Sequence, residues 1–299
     1  MHRNGYVCKL LSLKEEPVDK SVLLTEVGLR DGLQNLKQII STKDKLHLLN
    51  SLIDAGLRRI QVSSFVNQKL IPQMADAEKL ISKLPKTSKT QFSCLVLSPK
   101  GLDRAFETGI KNIDFSISSS ESYSLKNTQM STKEAVISLR NMIKCAKDSN
   151  INVRAGIQCV WGCVYDGRPN QKNLMKLIES ILEMEPDVLS LADSSGMAEP
   201  VKISSILNDL LKKKPNLKIN LHLHNNGFEF QNFKTALGLG INLFDTSFGG
   251  NGGSPFIKGS AGNLSTENAI KILKEEGYEV KINHKLISSI SSWLQYKIS

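Results

Sequence analysis

Short apolar runs alternate with longer amphipathic ones along almost the whole chain. The runs near 22–27, 58–64, 91–97, 112–118, 152–160, 188–193, 218–223 and 242–248 have the length of buried strands. The segments between them carry helical spacing. In 42–55, Leu46, Leu49, Leu52 and Ile53 share a face; Ser41 or Thr42 caps the start and Gly56 marks the end. In 132–148, Ser131 and Glu134 form a capping box ahead of Val136, Leu139 and Ile143. Leu174–Met184, Val201–Leu211, Phe230–Leu239 and Glu267–Lys274 repeat the pattern.

Eight strand–helix alternations predict an α/β fold, a (β/α)8 TIM barrel over residues 1–279. An open doubly wound sheet is the competing architecture, but no Gly-x-Gly-x-x-Gly follows the first strand. The tail, 280–299, reads as an added helix with Ile287, Ile290 and Trp293 on one side, suited to capping the barrel or to a dimer contact.

In a TIM barrel, chemistry gathers at the C-terminal ends of the strands. The polar residues that stand out lie at such places. His222 and His224 sit two apart at the end of the seventh run, so both imidazoles face one side. Asp31 follows the first run, and Asn263 closes the glycine-rich stretch after the eighth. Two nitrogens with a carboxylate and an amide oxygen suit Mg²⁺ or Mn²⁺ better than zinc. Arg30, next to Asp31, can steady a developing enolate or form a rim salt bridge. Asp193, at the end of the sixth run, can orient a metal-bound imidazole, take a proton, or cap the following helix. The segment Gly249-Gly250-Asn251-Gly252-Gly253-Ser254 has the flexibility of a loop that closes over a substrate.

Composition narrows the class. The 299 residues are 40% hydrophobic and 23% charged, as in a soluble globular protein with a sizeable core. The net charge of +10 is spread over many helices; Lys212-Lys213-Lys214 is the one run, at a helix end. With 6% aromatic residues and no aromatic–basic interleaving, nucleic acid is not an expected partner. No apolar run approaches a membrane span, and Met1–Lys9 lacks a signal-peptide apolar region, so a cytoplasmic location is expected. Five cysteines without framework spacing read as reduced thiols, and Cys159-x-x-x-Cys163 as buried or pocket-wall thiols.

Several segments together resemble the 3-hydroxy-3-methylglutaryl-CoA (HMG-CoA) lyase family, within the metal-dependent barrel lyases and Claisen-condensing enzymes. They are Glu26-Val-Gly-Leu-Arg-Asp-Gly-Leu-Gln-Asn35, Ser63–Val66 with Pro72–Asp76, Ser116–Asn127, Gly162–Gly167 and Gly252–Asn263. The resemblance implies a Mg²⁺ or Mn²⁺ ion on Asp31, His222, His224 and Asn263, with Arg30 steadying the enolate of acetyl-CoA in a retro-Claisen cleavage. It also implies an acyl-CoA substrate and a homodimer, the basic surface helping to bind the CoA phosphates. Asp193 and His222 are the candidate bases.

Three residues depart from the family pattern. Ser254 stands where the lyases carry a cysteine that moves a proton to the leaving carbanion, and a serine hydroxyl is a far weaker acid. Gln61 stands where they carry a glutamate paired with the arginine, which leaves Arg30 without that counter-ion. Asn225 stands where aspartate is common. A lyase acting on HMG-CoA or a related 3-hydroxyacyl-CoA is the first expectation. An acyltransferase or aldolase working on a 2-oxo acid is the second, and a non-catalytic metal- or CoA-binding relative the third.

Overall fold

The computed structural model describes residues 21–86, 89–257, 259 and 261–299. Cys8 and the Met1–Lys9 stretch, read above as free of a signal peptide, lie outside the described residues. Eight parallel strands form a closed barrel in chain order. They are β1 (Leu23–Glu26), β2 (Arg59–Ser64), β3 (Gln91–Val96), β4 (Asn112–Ser118), β5 (Asn152–Gln158), β6 (Val188–Ala192), β7 (Ile219–His222) and β8 (Leu243–Thr246). Closure comes from the parallel pairing of β1 with β8, Leu23 opposite Leu243 through Glu26 opposite Thr246.

The surrounding helices are α1 (Thr42–Asp54), α2 (Ala77–Ile81), α3 (Pro99–Thr108), α4 (Glu121–Thr128), α5 (Thr132–Asp148), α6 (Gln171–Leu182), α7 (Pro200–Lys213), α8 (Glu229–Gly238), α9 (Thr266–Glu275) and α10 (His284–Ile298). Ser41 caps α1, and the Ser131–Glu134 capping box opens α5, as the sequence predicts. The periodicity missed α2, α3 and α4. α2 has only five residues, and α4, Glu-Ser-Tyr-Ser-Leu-Lys-Asn-Thr, is too polar to show an apolar stripe. None of the described helices is long and apolar enough to cross a membrane.

The tail helix α10 joins the outer helical layer. It contacts α1 and α9, burying Ile287, Ile290 and Leu294. Trp293 is only partly buried and packs against His47 in a tilted arrangement, with ring centroids 5.1 Å apart. The Asn283 N–H donates to the Ala55 carbonyl at 2.8 Å, so the approach to α10 is tied to the end of α1. The cysteines behave as read: Cys94, Cys159 and Cys163 are buried and unbridged, and Cys145 is exposed and free.

One buried carboxyl organises the mouth of the barrel. Glu26 ends β1 and is fully shielded from solvent. Its Oε1 accepts the N–H of Gly28 at 2.7 Å and of Phe248 at 3.1 Å, while Oε2 meets the Thr266 hydroxyl at 2.6 Å. It thereby joins the turn after β1, the turn after β8 and the start of α9. Burial pushes this carboxyl up to about 8, even though its three hydrogen bonds pull the other way. A raised folded-state value means that the stability contribution is full below the ordinary value of 4.5 and is lost as pH climbs to about 8. Glu26→Gln keeps an acceptor and removes the titration, so its melting temperature should fall less than the wild type's between pH 4.5 and 8. Equal slopes for the two proteins would contradict this. Glu26→Ala strands two buried N–H groups and should cost about 3 kcal/mol in denaturant unfolding.

Candidate active site at the barrel mouth

Arg30 and Asp31 lie on a π-helical turn, Gly28–Gly32, rather than on the strand itself. The turn solves the problem of adjacent strand residues facing opposite ways, because it delivers both side chains to one cavity. His222 is the last residue of β7, and His224 lies just beyond it, in an isolated antiparallel bridge with Asn263. That bridge sets Asn263, just ahead of α9, beside His224.

Asp31, His222 and His224 converge so that one ligand atom from each lies within 4.8 Å of the others. The two imidazole Nε2 atoms are 3.2 Å apart. Asn263 donates to Asp31 Oδ2 at 2.6 Å, and its own Oδ1 is buried without a hydrogen-bond partner. Two nitrogens turned toward each other, a carboxylate and an orphaned amide oxygen form the donor set of a hard or borderline divalent cation. The residues therefore fit a metal ion. Charge balance agrees. Burial raises the Asp31 carboxyl, but Arg30 and the two imidazoles outweigh it and hold it near 2. Burial, then the His222 ring, push His224 down to about 3, which leaves that ring neutral with a lone pair to give.

Behind these residues the barrel interior is polar. Arg30 pairs with Asp31 and donates through Nε to Gln61 Oε1. The Gln61 amide nitrogen donates to Asp114. Arg154 grips Asp114 with two bonds of 2.9 Å and reaches Asp245 at 2.5 Å. Asp245 Oδ2 meets His222 Nδ1 at 3.1 Å. The chain of contacts thus runs from the arginine through β2, β4, β5 and β8 back to the first imidazole. Burial opposes the Asp245 carboxylate, yet the Arg154 guanidinium wins and holds it well below the usual range.

Sequence reading missed Asp114, Arg154 and Asp245. The signal was there: each is the lone charged residue of its strand. It also left Arg30 without a counter-ion. In the structure Asp31 pairs with it directly, and Asp114 answers it through the Gln61 amide.

Asp193 takes a different place from its neighbours. The cavity wall is formed by Ala192 and Ser194, while Asp193 is fully buried. Its Oδ1 accepts the N–H groups of Met197 and Ala198 at 2.7 and 2.9 Å, anchoring the loop after β6. It does not cap α7, whose first turn follows Glu199. Its Oδ2 has no hydrogen-bond partner, and burial pushes the carboxyl up to about 7. The His222 ring, one of the imidazoles that Asp193 could have oriented, is bound by Asp245.

The glycine-rich loop folds against the metal-type cluster. Gly253 donates its N–H to Asp31 Oδ2 at 3.1 Å, and its carbonyl accepts from Asn35 at 2.6 Å. Gly252 has φ of 129°, and a Cβ there would fall 2.2 Å from Asn263 Nδ2 and 2.5 Å from Asp31 Oδ2. Only glycine leaves room for the Asp31–Asn263 contact. Ser254 lines the cavity, with its Oγ 2.7 Å from the Tyr123 hydroxyl. The Asn225 amide lies 3.1 and 3.2 Å from the two Glu229 carboxylate oxygens, and its hydrogen bonding is satisfied when the nitrogen is the end that faces them. The cavity measures about 280 Å³, and Val66, Leu70, Leu97 and Met130 contribute an apolar side.

The HMGL-like family matches residues 21–294. A hydroxymethylglutaryl-CoA lyase of Bacillus subtilis is 34% identical over 283 residues, 94% of this chain and 95% of that protein. The human mitochondrial hydroxymethylglutaryl-CoA lyase is 32% identical over 265 residues, covering 88% of this chain and 82% of that protein. The crystal structure of a B. subtilis HMG-CoA lyase superposes with a TM-score of 0.89 at 34% identity, over 95% of each chain. An Acinetobacter baumannii HMG-CoA lyase, solved with coenzyme A and 3-methylmalate, gives 0.88 at 27% identity over 93% of this chain and 92% of that one. A barrel with an Asp–His–His cluster at its mouth, matched over nearly its full length in sequence and in backbone, belongs to the HMGL-like family.

Proposed function

We propose that this HMG-CoA lyase-like enzyme cleaves HMG-CoA, or a close 3-hydroxyacyl-CoA, to acetyl-CoA and a keto acid. The observation that carries the proposal is the convergence of Asp31, His222 and His224 beside Arg30 in one cavity. The A. baumannii relative, solved with coenzyme A and a branched hydroxy diacid, supports the substrate class.

Asp31, His222, His224 and Asn263 would hold a divalent cation, Mg²⁺ or Mn²⁺. The cation supplies Lewis acidity that makes a bound tertiary hydroxyl easier to deprotonate. Arg30, fixed by Asp31 and Gln61, presents its guanidinium to the thioester oxygen, where negative charge grows as the C–C bond breaks. Asp245 sets the His222 tautomer: its carboxylate accepts the Nδ1–H, so Nε2 faces the cluster with its lone pair. The apolar side of the cavity suits the thioester arm and excludes water from the enolate. Of the two candidate bases, Asp193 stands behind the cavity wall and His222 is engaged through both ring nitrogens, so neither is assigned to the hydroxyl proton.

Purified protein should form acetyl-CoA from HMG-CoA with Mg²⁺ or Mn²⁺ and lose that activity in EDTA. Asp31→Ala and His222→Ala should abolish it. Full activity in both variants would remove the metal site from the reaction. No cleavage by folded, metal-loaded protein, together with thiol release from acetyl-CoA and a 2-oxo acid, would transfer the reading to the condensing enzymes.

The polar network makes two further predictions. Asp245→Asn should weaken metal affinity by about 10- to 100-fold, read by metal titration. Gln61→Glu, which restores the residue of the lyase pattern, should lower activity here. It replaces the N–H that Asp114 accepts with a second carboxylate. Gln61→Glu combined with Asp114→Asn restores a donor–acceptor pair and should recover the loss. A gain from Gln61→Glu alone would show that the Asp114 contact is unimportant.

A further inference from the structure

Cleavage leaves an electron pair on C2 of the acetyl unit, and that carbon must receive one proton. The loop residue placed to give it is a serine, and an unassisted serine hydroxyl is a poor acid near neutrality. Ser254 does not stand alone, however. Its Oγ lies 2.7 Å from the phenol oxygen of Tyr123 and accepts the Phe256 N–H at 3.2 Å. A serine oxygen has two acceptor positions and one proton. With the phenol and the Phe256 N–H both donating, both acceptor positions are engaged and the serine's own proton is left for the cavity.

We propose that Tyr123 and Ser254 form a two-hydroxyl proton relay, with Ser254 delivering the proton to the acetyl carbon and Tyr123 replenishing it. The inference rests on the lyase reading above. Tyr123 acts through Ser254 and is a positioning and proton-supplying residue.

Its setting suits that task. Tyr123 lies in the first turn of α4, its N–H bound to the Ser120 cap at 3.1 Å. The ring is 2% exposed and packs with Cys159, Cys163 and Ile257. This enclosure fixes the hydroxyl against the loop. Burial raises the phenol above its ordinary range, and the Ser254 contact only partly offsets this, so it keeps its proton at neutral pH. Ser254 is positioned in turn by its neighbour Gly253, whose N–H is bound to Asp31. The donor is therefore tethered next to the cation-type cluster. Even raised by burial, a phenol remains a stronger acid than an aliphatic alcohol. It can fill the part that a thiol plays in the resembling lyases.

The step balances. The C2–C3 bond breaks and its pair stays on C2. The Ser254 O–H proton goes to C2, the Tyr123 O–H proton goes to Ser254 Oγ, and the tertiary hydroxyl gives up its proton to solvent as the phenolate takes one back from solvent before the next turnover. Nothing is oxidised or reduced.

The test combines HMG-CoA cleavage with exchange of the acetyl-CoA methyl hydrogens in D2O, both with Mg²⁺. Exchange needs only the relay and the enolate, so it is independent of the acyl substrate. Tyr123→Phe preserves the ring and should lower kcat for cleavage and the exchange rate by about 100-fold, with little change in KM. In a Ser254→Cys background the thiol is its own acid, and adding Tyr123→Phe should cost less than about tenfold. An equal loss in both backgrounds would make Tyr123 a packing residue and overturn the relay, as would wild-type rates in Tyr123→Phe. Cleavage insensitive to Tyr123 would sink the relay and leave the lyase reading intact. Tyr123-dependent exchange without HMG-CoA cleavage would keep the relay and remove HMG-CoA as substrate. A wild type that neither cleaves nor exchanges would overturn both.

Discussion

The arrangement at the barrel mouth depends on one constraint: charges buried inside a closed barrel must be balanced where they stand. Most TIM barrels avoid the problem by filling the interior with layers of branched hydrocarbon. Here Asp114, Asp245 and Gln61, all buried, and the partly buried Arg154 occupy that space. Breaking such a set by removing one member leaves an uncompensated charge in a medium of low polarity. The network therefore holds its members to narrow geometry, and the metal-type cluster at its edge inherits that rigidity. Glu26 performs the corresponding service for the backbone, gathering the turns after β1 and β8 around one carboxyl.

The same constraint explains the departures from the lyase pattern. At 61 and 225 an amide stands where an acid is expected, and each amide faces a carboxylate that needs a donor. Gln61 serves Asp114, and Asn225 serves Glu229. An acid at either place would confront another acid. At 254 a hydroxyl stands where a thiol is expected, and it is met by the hydroxyl of Tyr123. Each change is accompanied by a neighbour that makes sense of it.

Much of this was legible in the chain. The strand–helix rhythm gave the barrel, because parallel strands buried on both faces read as apolar runs. Asp31, His222, His224 and Asn263 stood out because polar groups at strand ends have few structural duties. Three things were hidden. The π-helical turn that brings Arg30 and Asp31 together leaves no periodic trace in five residues. The Arg154 network is made of residues far apart in sequence, and a lone charge within a strand does not announce its partner. The placement of Asp193 depends on which side of a strand end the chain turns, and β6 ends one residue earlier than its apolar run suggests.

Asp31 and Asn263 touch across 232 positions of sequence, and the barrel seam between β1 and β8 joins the same two ends of the chain. No half of the molecule contains the cluster. On the ribosome, the first strand waits with an exposed edge until more than two hundred further residues have been made. Asp31 and Arg30 meet their imidazole and amide partners only after β7, β8 and the glycine loop have emerged. A growing chain therefore lacks the assembled cluster until the stretch through Asn263 has been made. Seam and site are completed by the same late event.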